Sequence, residues 1–413
     1  MKRKLQEIVS NTEMKRSRAL LIGLLVCSCG SLAIAGLATN TAPGPLRTLL
    51  VGGGPDLKHN QVAIESNVRY VDRSLPAGTP RIVLFTNGET DSKNVLYLDE
   101  NNKEAYRAPQ LPRLDGPSEL TRIQSEIATL AKDSLSSPAA PVLLYFTGHG
   151  SPVPSSEFTN NKYDLWNGGA LTVTDLATSL KAFPKTTPVT LLMVECFSGA
   201  FGNVLFDDAD PTGKLADRKV CGFFASIPTR EAAGCTPEVN EANYRDFTSY
   251  FVAALTGTDR LGKPVSGADY NRDGKVGMNE AFCYSLIHDD SIDTPVCTSD
   301  VFLRRFIKTA DPDIFLNRYD KVRGWGTPAQ TAVLDELSAS LGLTGDERGQ
   351  KAYDTFYAMN KASFELRDVR MIRFVRLYKS VVLGHSMMDS SDRELKRHFT
   401  DLIQLESGNV FKS

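Results

Sequence analysis

Between about residue 45 and residue 300 the chain alternates short unbroken apolar runs with longer segments whose apolar positions recur every three or four residues. RTLLVGGG (47–54), RIVLFTNG (81–88), PVLLYFTGHG (141–150), PVTLLMVEC (188–196) and CGFFASIP (221–228) are the short runs. Runs of this length that stop at a turn read as buried strands. The periodic segments predict helices from about Gln61 to Leu75, through SELTRIQSEIATLAKDSL with Ser118 as N-cap, from Thr174 to Phe183 and from Phe247 to Leu255. A polar loop is expected around Trp166. Strands alternating with helices predict an α/β layered fold with a mostly parallel central sheet flanked by helices. Gly52 to Gly54 show neither the dinucleotide-binding spacing nor a GK[ST] ending, so they read as a strand-end turn.

From about Asp311 the pattern changes to long charged amphipathic segments with no strand-like run between them, which predicts a helical C-terminal extension. The expected division is therefore 43–300 for the layered domain and 301–413 for the extension. The basic stretch RDVRMIRFVRLYK within it reads as one face of a solvated helix. His385 and His398 have no carboxylate or cysteine at ligand spacing and read as structural or solvent-facing. At 413 residues, 41% of them hydrophobic and 23% charged, the chain has material for a sizeable core and an appendage. A formal net charge of −2 excludes nucleic acid as the main partner, which would need a clustered basic surface.

Residues 1–42 read as a targeting segment. Lys2, Arg3, Lys4, Lys15, Arg16 and Arg18 precede the apolar run ALLIGLLVCSCGSLAIAGLA, which ends among small residues. A cleaved signal peptide, a retained membrane anchor, and lipid attachment at Cys27 or Cys29 are the three readings of such a run. All of them place the remainder outside the cytosol: periplasmic, membrane-anchored or secreted. The other cysteines are Cys196, Cys221, Cys235, Cys283 and Cys297. In an oxidising compartment four of these are expected to pair, in an order the sequence does not select, leaving one free thiol.

Two strand ends carry reactive side chains: TGHG delivers His149 and Gly150, and ECFSG delivers Cys196. In an open parallel sheet the carboxyl ends of neighbouring strands converge on one crevice, so a histidine and a cysteine roughly 50 residues apart meet there. An imidazole beside a thiol supplies the base that a cysteine nucleophile needs near neutral pH. Gly150, lacking a side chain, lets its N–H approach a substrate carbonyl, and with the N–H of Cys196 it forms a candidate oxyanion hole. Ser198 is the poorer nucleophile candidate, because CFSGA lacks the first glycine of the nucleophile-elbow pattern.

DYNRDGKVGMNE, from Asp269 to Glu280, matches the twelve-residue EF-hand loop. Asp269, Asn271 and Asp273 occupy positions one, three and five, and Gly274 takes the turn at six. Lys275 offers its carbonyl at seven, Gly277 leaves room for water at nine, and Glu280 closes the loop. Hard oxygens at these intervals suit Ca2+, in a structural role since only one such loop is present.

Together these motifs resemble the caspase and legumain clan of cysteine peptidases, over about residues 45 to 290. TGHG and ECFSG, in the order His then Cys, look like that clan's catalytic motifs. On the legumain side, FFASIPTREAAGC, DLKHNQVAIE and NYRDFTSYF are similar to segments that build its substrate pocket. The resemblance implies a three-layer caspase/legumain-like fold and an endopeptidase in which Cys196 is the nucleophile and His149 the general acid/base. It also implies that Lys58, His59, Ala232 and Asp246 line the pocket for the residue before the scissile bond. The acidic residue that the family carries two positions before its cysteine is Val194 here, and Glu195 directly precedes Cys196. Strand neighbours face opposite sides, so Glu195 is expected to point away from the pocket. Arg230 and Asp246 offer that pocket opposite charges. A transamidase or ligase of the same fold, and a catalytically silent calcium-stabilised binding protein, are the alternative functions. The implied partner is a peptide or protein substrate.

Overall fold

The computed structural model describes residues 44–137 and 139–412; the expected targeting segment lies outside the described residues. Its centre is a six-stranded sheet built by the apolar runs. β1 (Arg47–Gly53), β2 (Arg81–Phe85), β5 (Val142–Gly148), β9 (Val189–Met193) and β10 (Val220–Phe224) are parallel, and β11 (Val296–Cys297) closes one edge antiparallel. The spatial order is β11-β10-β9-β5-β1-β2. β1, β5, β9 and β10 are buried along their whole length, which is why they read as unbroken apolar runs rather than alternating ones.

Two short antiparallel additions stand beside this sheet. β3 (Val95–Leu98) pairs with β4 (Glu104–Arg107), and β6 (Gly150–Ser151), β7 (Lys162–Leu165) and β8 (Gly169–Thr172) form a three-stranded meander directly after His149. The expected polar loop around Trp166 is therefore corrected: Trp166 is buried at the β7–β8 turn. The crossovers are α1 (Val62–Ser74), α2 (Leu120–Asp133), α3 (Val173–Leu180) and α4 (Phe247–Thr256), followed by α5 (Met278–His288). α1 packs with α4 and α4 with α5, while α2 packs with α3. The N-cap of α2 is Glu119, not Ser118; Ser118 is buried and its N–H donates to the Thr86 carbonyl at 2.8 Å, so it ties the helix start to the end of β2.

After β11 the chain is helical: α6 (Thr298–Phe306), α7 (Asp311–Phe315), α8 (Tyr319–Trp325), α9 (Pro328–Ser340), α10 (Arg348–Ala358), α11 (Leu366–Asp389) and α12 (Arg393–Glu406). These helices share one compact unit with the sheet. The basic stretch expected on a solvated face belongs to α11, whose Phe374, Tyr378 and Val381 are core residues. Arg373 in its middle is 2% exposed. Its guanidinium donates to the carbonyls of Asp289, Ser291 and Asp293, in the loop after α5. Among the described residues no disulfide forms; Cys196, Cys221, Cys235, Cys283 and Cys297 are all free thiols, which corrects the expected four-cysteine pairing. No described helix is long and apolar enough to cross a membrane.

Candidate active site

The register of β5 against β9 pairs Phe146 with Met193. His149 and Cys196 follow that pair by the same number of residues, so both leave the carboxyl edge of adjacent parallel strands at the same level. The backbone closes tightly here. A Cβ on Gly150 would stand 2.2 Å from the Cys196 carbonyl oxygen and 2.8 Å from Cγ of Glu195, so only glycine lets the His149 turn lie against the Cys196 turn. Gly148, on the other side of His149, is held the same way, 2.4 Å from a would-be Cβ to the Gly53 carbonyl oxygen.

The turn after Cys196 is strained and doubly secured. Phe197 has φ of 61°, in the left-handed region that a bulky residue rarely adopts, and it opens the 3-10 helix Ser198–Leu205. Its N–H donates to the Arg230 carbonyl at 2.8 Å, and its own carbonyl accepts from Asn161 at 3.2 Å. Backbone strain of this kind, of order 1–3 kcal/mol, persists where surrounding bonds over-determine it. The thiol itself meets Ala232: the Ala232 N–H donates to Sγ at 3.2 Å, and Sγ lies 3.6 Å from the Ala232 carbonyl oxygen. Burial pushes the Cys196 thiol up to about 11, with the Ala232 N–H opposing and Glu231 and Asp293 adding to the rise. Cys196 is thus a neutral thiol at pH 7.

His149 is neutral as well. Burial depresses its ring below the usual histidine value and the charge of the His59 ring lowers it further, while the His59 backbone, Asp164 and Asp56 act the other way. Its Nε2 is 3.0 Å from Oε1 of Gln61. A carbonyl oxygen only accepts, so Nε2 carries the proton and Nδ1 is left as the basic nitrogen. Gln61 was not singled out from the sequence; it stands at the N-cap of α1, two residues beyond His59, and only the packing of α1 against β5 shows where its amide goes.

The expected pocket residues divide. Lys58 and His59 sit on the exposed 3-10 turn Leu57–His59, where the His59 ring meets the His149 ring edge to face at 5.6 Å between centroids. Asp56 fixes His59 through Nδ1 at 2.8 Å. Ala232 touches the nucleophile. Asp246 does come near the loop that carries Ala232, its Cβ lying 3.6 Å from a would-be Cβ on Gly234. It is 2% exposed, however, and its charge is compensated: Oδ1 caps α4 through the Ser249 N–H at 2.7 Å and lies 3.4 Å from the Arg260 guanidinium. Arg230 is equally committed, donating to the carbonyls of Lys361 and Ser363. Of the two opposite charges offered by the sequence, Asp246 is paired with Arg260, and Arg230 is engaged by backbone carbonyls.

Glu195 lies beyond the end of β9, so strand alternation does not set its direction; its Cγ packs toward Gly150, and it is 1% exposed with no hydrogen-bond partner for either oxygen. Burial raises its carboxyl well above the ordinary range, so it is a neutral acid. In the Asp269–Glu280 loop, Asp269 accepts from the Asp273 and Gly274 N–H groups, and Asp273 accepts from Lys275 N–H. Gly274 has φ of 84°, the turn that position six demands. Glu280 is 5% exposed and accepts from Tyr270, Asn271 and Gly277. The donor chemistry and the turn fit a hard cation, although among the described residues no three Asp, Glu, His or Cys side chains converge closely enough to hold one.

No protein-family model matches the chain, and no curated protein does. Solved structures do. A protein of Geobacter sulfurreducens is similar at 14% identity over 62% of this chain and 92% of its own, with a TM-score of 0.37. Caspase-1 of Spodoptera frugiperda is similar at 12% identity over 62% of this chain and 85% of its own, TM-score 0.35. A secreted C11 cysteine protease of Bacteroides thetaiotaomicron, solved with an irreversible peptide inhibitor, is similar at 14% identity over 67% and 72%, TM-score 0.30. The site rests on its own geometry.

Proposed function

We propose that the chain is an exported cysteine endopeptidase of the caspase and legumain type. The observation that carries this reading is the shared level of His149 and Cys196 at the ends of adjacent strands, with Gly150 packed against the Cys196 carbonyl. Both groups start neutral, so attack and proton transfer go together. Sγ of Cys196 adds to the substrate carbonyl carbon as its proton passes to Nδ1 of His149, and the carbonyl electron pair moves to oxygen, facing the Gly150 and Cys196 N–H groups. The C–N bond then breaks, His149 returns the proton to the leaving amine, and a thioester remains. Water, deprotonated by His149, cleaves the thioester and restores the thiol.

Calcium would be held by the side chains of Asp269, Asn271, Asp273 and Glu280 and the carbonyl of Lys275, where it supplies charge neutralisation to the loop and takes no part in the reaction.

The test uses the purified full chain and a peptidyl acyloxymethyl-ketone probe. Labelling at Cys196, loss of cleavage in Cys196→Ala, and a fall of about 10²–10⁴-fold in His149→Ala support the reading. Undiminished peptide cleavage by Cys196→Ala sinks it.

A further inference from the structure

The loop that touches the thiol is shared with the C-terminal helices. A cleft of about 570 Å³ opens beside the nucleophile turn, within the size range of built ligand sites. One wall comes from Phe197, directly after Cys196, and from Ile227 in the loop after β10. The other comes from Phe356 at the end of α10, Phe364 in the α10–α11 loop and Ile372 of α11.

Arg230 fixes both walls at once. Its backbone carbonyl takes the Phe197 N–H, while its guanidinium takes the carbonyls of Lys361 and Ser363 and lies 5.2 Å from the Phe364 ring centroid. Its two terminal nitrogens are engaged by backbone carbonyls while Nε is buried without a partner, so the guanidinium acts here as a strut beneath the Phe364 ring. Phe364 is held in place by Arg230 yet 50% exposed, a large apolar ring facing water. In the sheet order the cleft lies on the β10 side of Cys196, opposite to His149 on β5 and to the Lys58–His59 turn after β1. It is therefore distinct from the Lys58–His59 side of the expected pocket, and shares with that pocket the loop after β10 that carries Ala232.

We propose that this cleft is a subsite for one bulky apolar side chain of the peptide substrate, close to the scissile bond, and that the C-terminal helices exist in part to build its outer wall. The inference rests on the peptidase reading above. A peptide is the occupant the geometry selects, because one wall of the cleft is Phe197, the residue next to the nucleophile. An aliphatic or aromatic side chain buries itself against Phe197, Ile227 and Phe364, whereas a small polar one leaves those rings in water.

The test is cleavage of a peptide library by the full chain, with Cys196→Ala as control, followed by kcat/KM on matched pairs of peptides. The expected result is one position near the bond where Leu, Phe or Met is preferred over Ser by at least roughly tenfold. Phe364→Ala reduces that ratio several-fold, chiefly through KM, and Phe364→Leu restores most of it; Ile227→Ser gives the same loss from the opposite wall. Cys196-dependent cleavage without an apolar preference at any position, or a preference that neither variant alters, overturns the subsite and leaves the peptidase reading standing. If no cleavage depends on Cys196, that reading falls and the subsite falls with it.

Discussion

A thiol held near 11 and a histidine held below its ordinary value make a resting dyad of two neutral groups, unlike a preformed thiolate–imidazolium pair. Both shifts have one main cause, burial at the strand ends. A direct consequence is that alkylation of Cys196 by iodoacetamide is slow at pH 7 and climbs about tenfold per pH unit as the thiolate fraction grows, levelling only near pH 11. A plateau already at pH 7 to 8 contradicts the neutral dyad. Peptide cleavage behaves differently, because neutral His149 is the working base. Its depressed value places the acid limb of kcat/KM below pH 6.5. At the same scale, Glu195 accounts for the absence of a side chain at Gly150: its Cγ and the Cys196 carbonyl fill the space that a Cβ would need.

Among the elements, α11 acts on the Cys196 thiol at one remove. Arg373 binds the Asp293 carbonyl at 2.8 Å, and the Asp293 carboxylate in turn accepts from Ala233 N–H at 2.6 Å and Phe247 N–H at 2.8 Å. Ala233 follows Ala232, which meets the thiol. A buried guanidinium is costly alone and secure when every donor finds a carbonyl. Arg373→Met leaves those carbonyls without donors and is expected to cost about 3–5 kcal/mol in urea unfolding. The same variant lowers kcat more than it raises KM, since the Ala232–Cys196 contact loosens. Unchanged stability in Arg373→Met removes the helix from this role.

At the scale of the whole molecule, the Asp269–Glu280 loop ties distant parts of the chain together. Met278 N–H donates to the Gly408 carbonyl at 2.8 Å, and Asn409 donates to the carbonyls of Val276 at 2.8 Å and Leu255 at 3.2 Å. A cation bound in this loop therefore braces α4, α5 and the segment after α12. Ca2+ at a hundred times its dissociation constant is expected to stabilise the fold by about 2.7 kcal/mol, read as a rise in thermal midpoint over a chelator control. Glu280→Gln abolishes the rise. A midpoint indifferent to Ca2+ in the unaltered chain rejects the loop as a calcium site.

The five parallel strands of the central sheet, the glycines flanking His149, the place of Cys196 at a strand end and the helical character after β11 were legible in the sequence, whereas the short strands β3, β4, β6, β7, β8 and β11 were not. Each legible feature is decided locally, by the burial of a short run or by the geometry of one turn. The EF-hand spacing is legible for the same reason, although its occupancy is a matter for measurement. Tertiary structure alone decided the rest. Packing chooses the partners of the charged groups, so Asp246 meets Arg260, Arg230 meets the carbonyls of Lys361 and Ser363, and Arg373 disappears beneath the loop after α5. A helix rich in arginine reads as solvated until the carbonyls that receive it are in view. The free cysteines, the Gln61 contact to His149 and the neutral Glu195 depend in the same way on which surfaces the packing brings together, and no local pattern of polar and apolar residues encodes that.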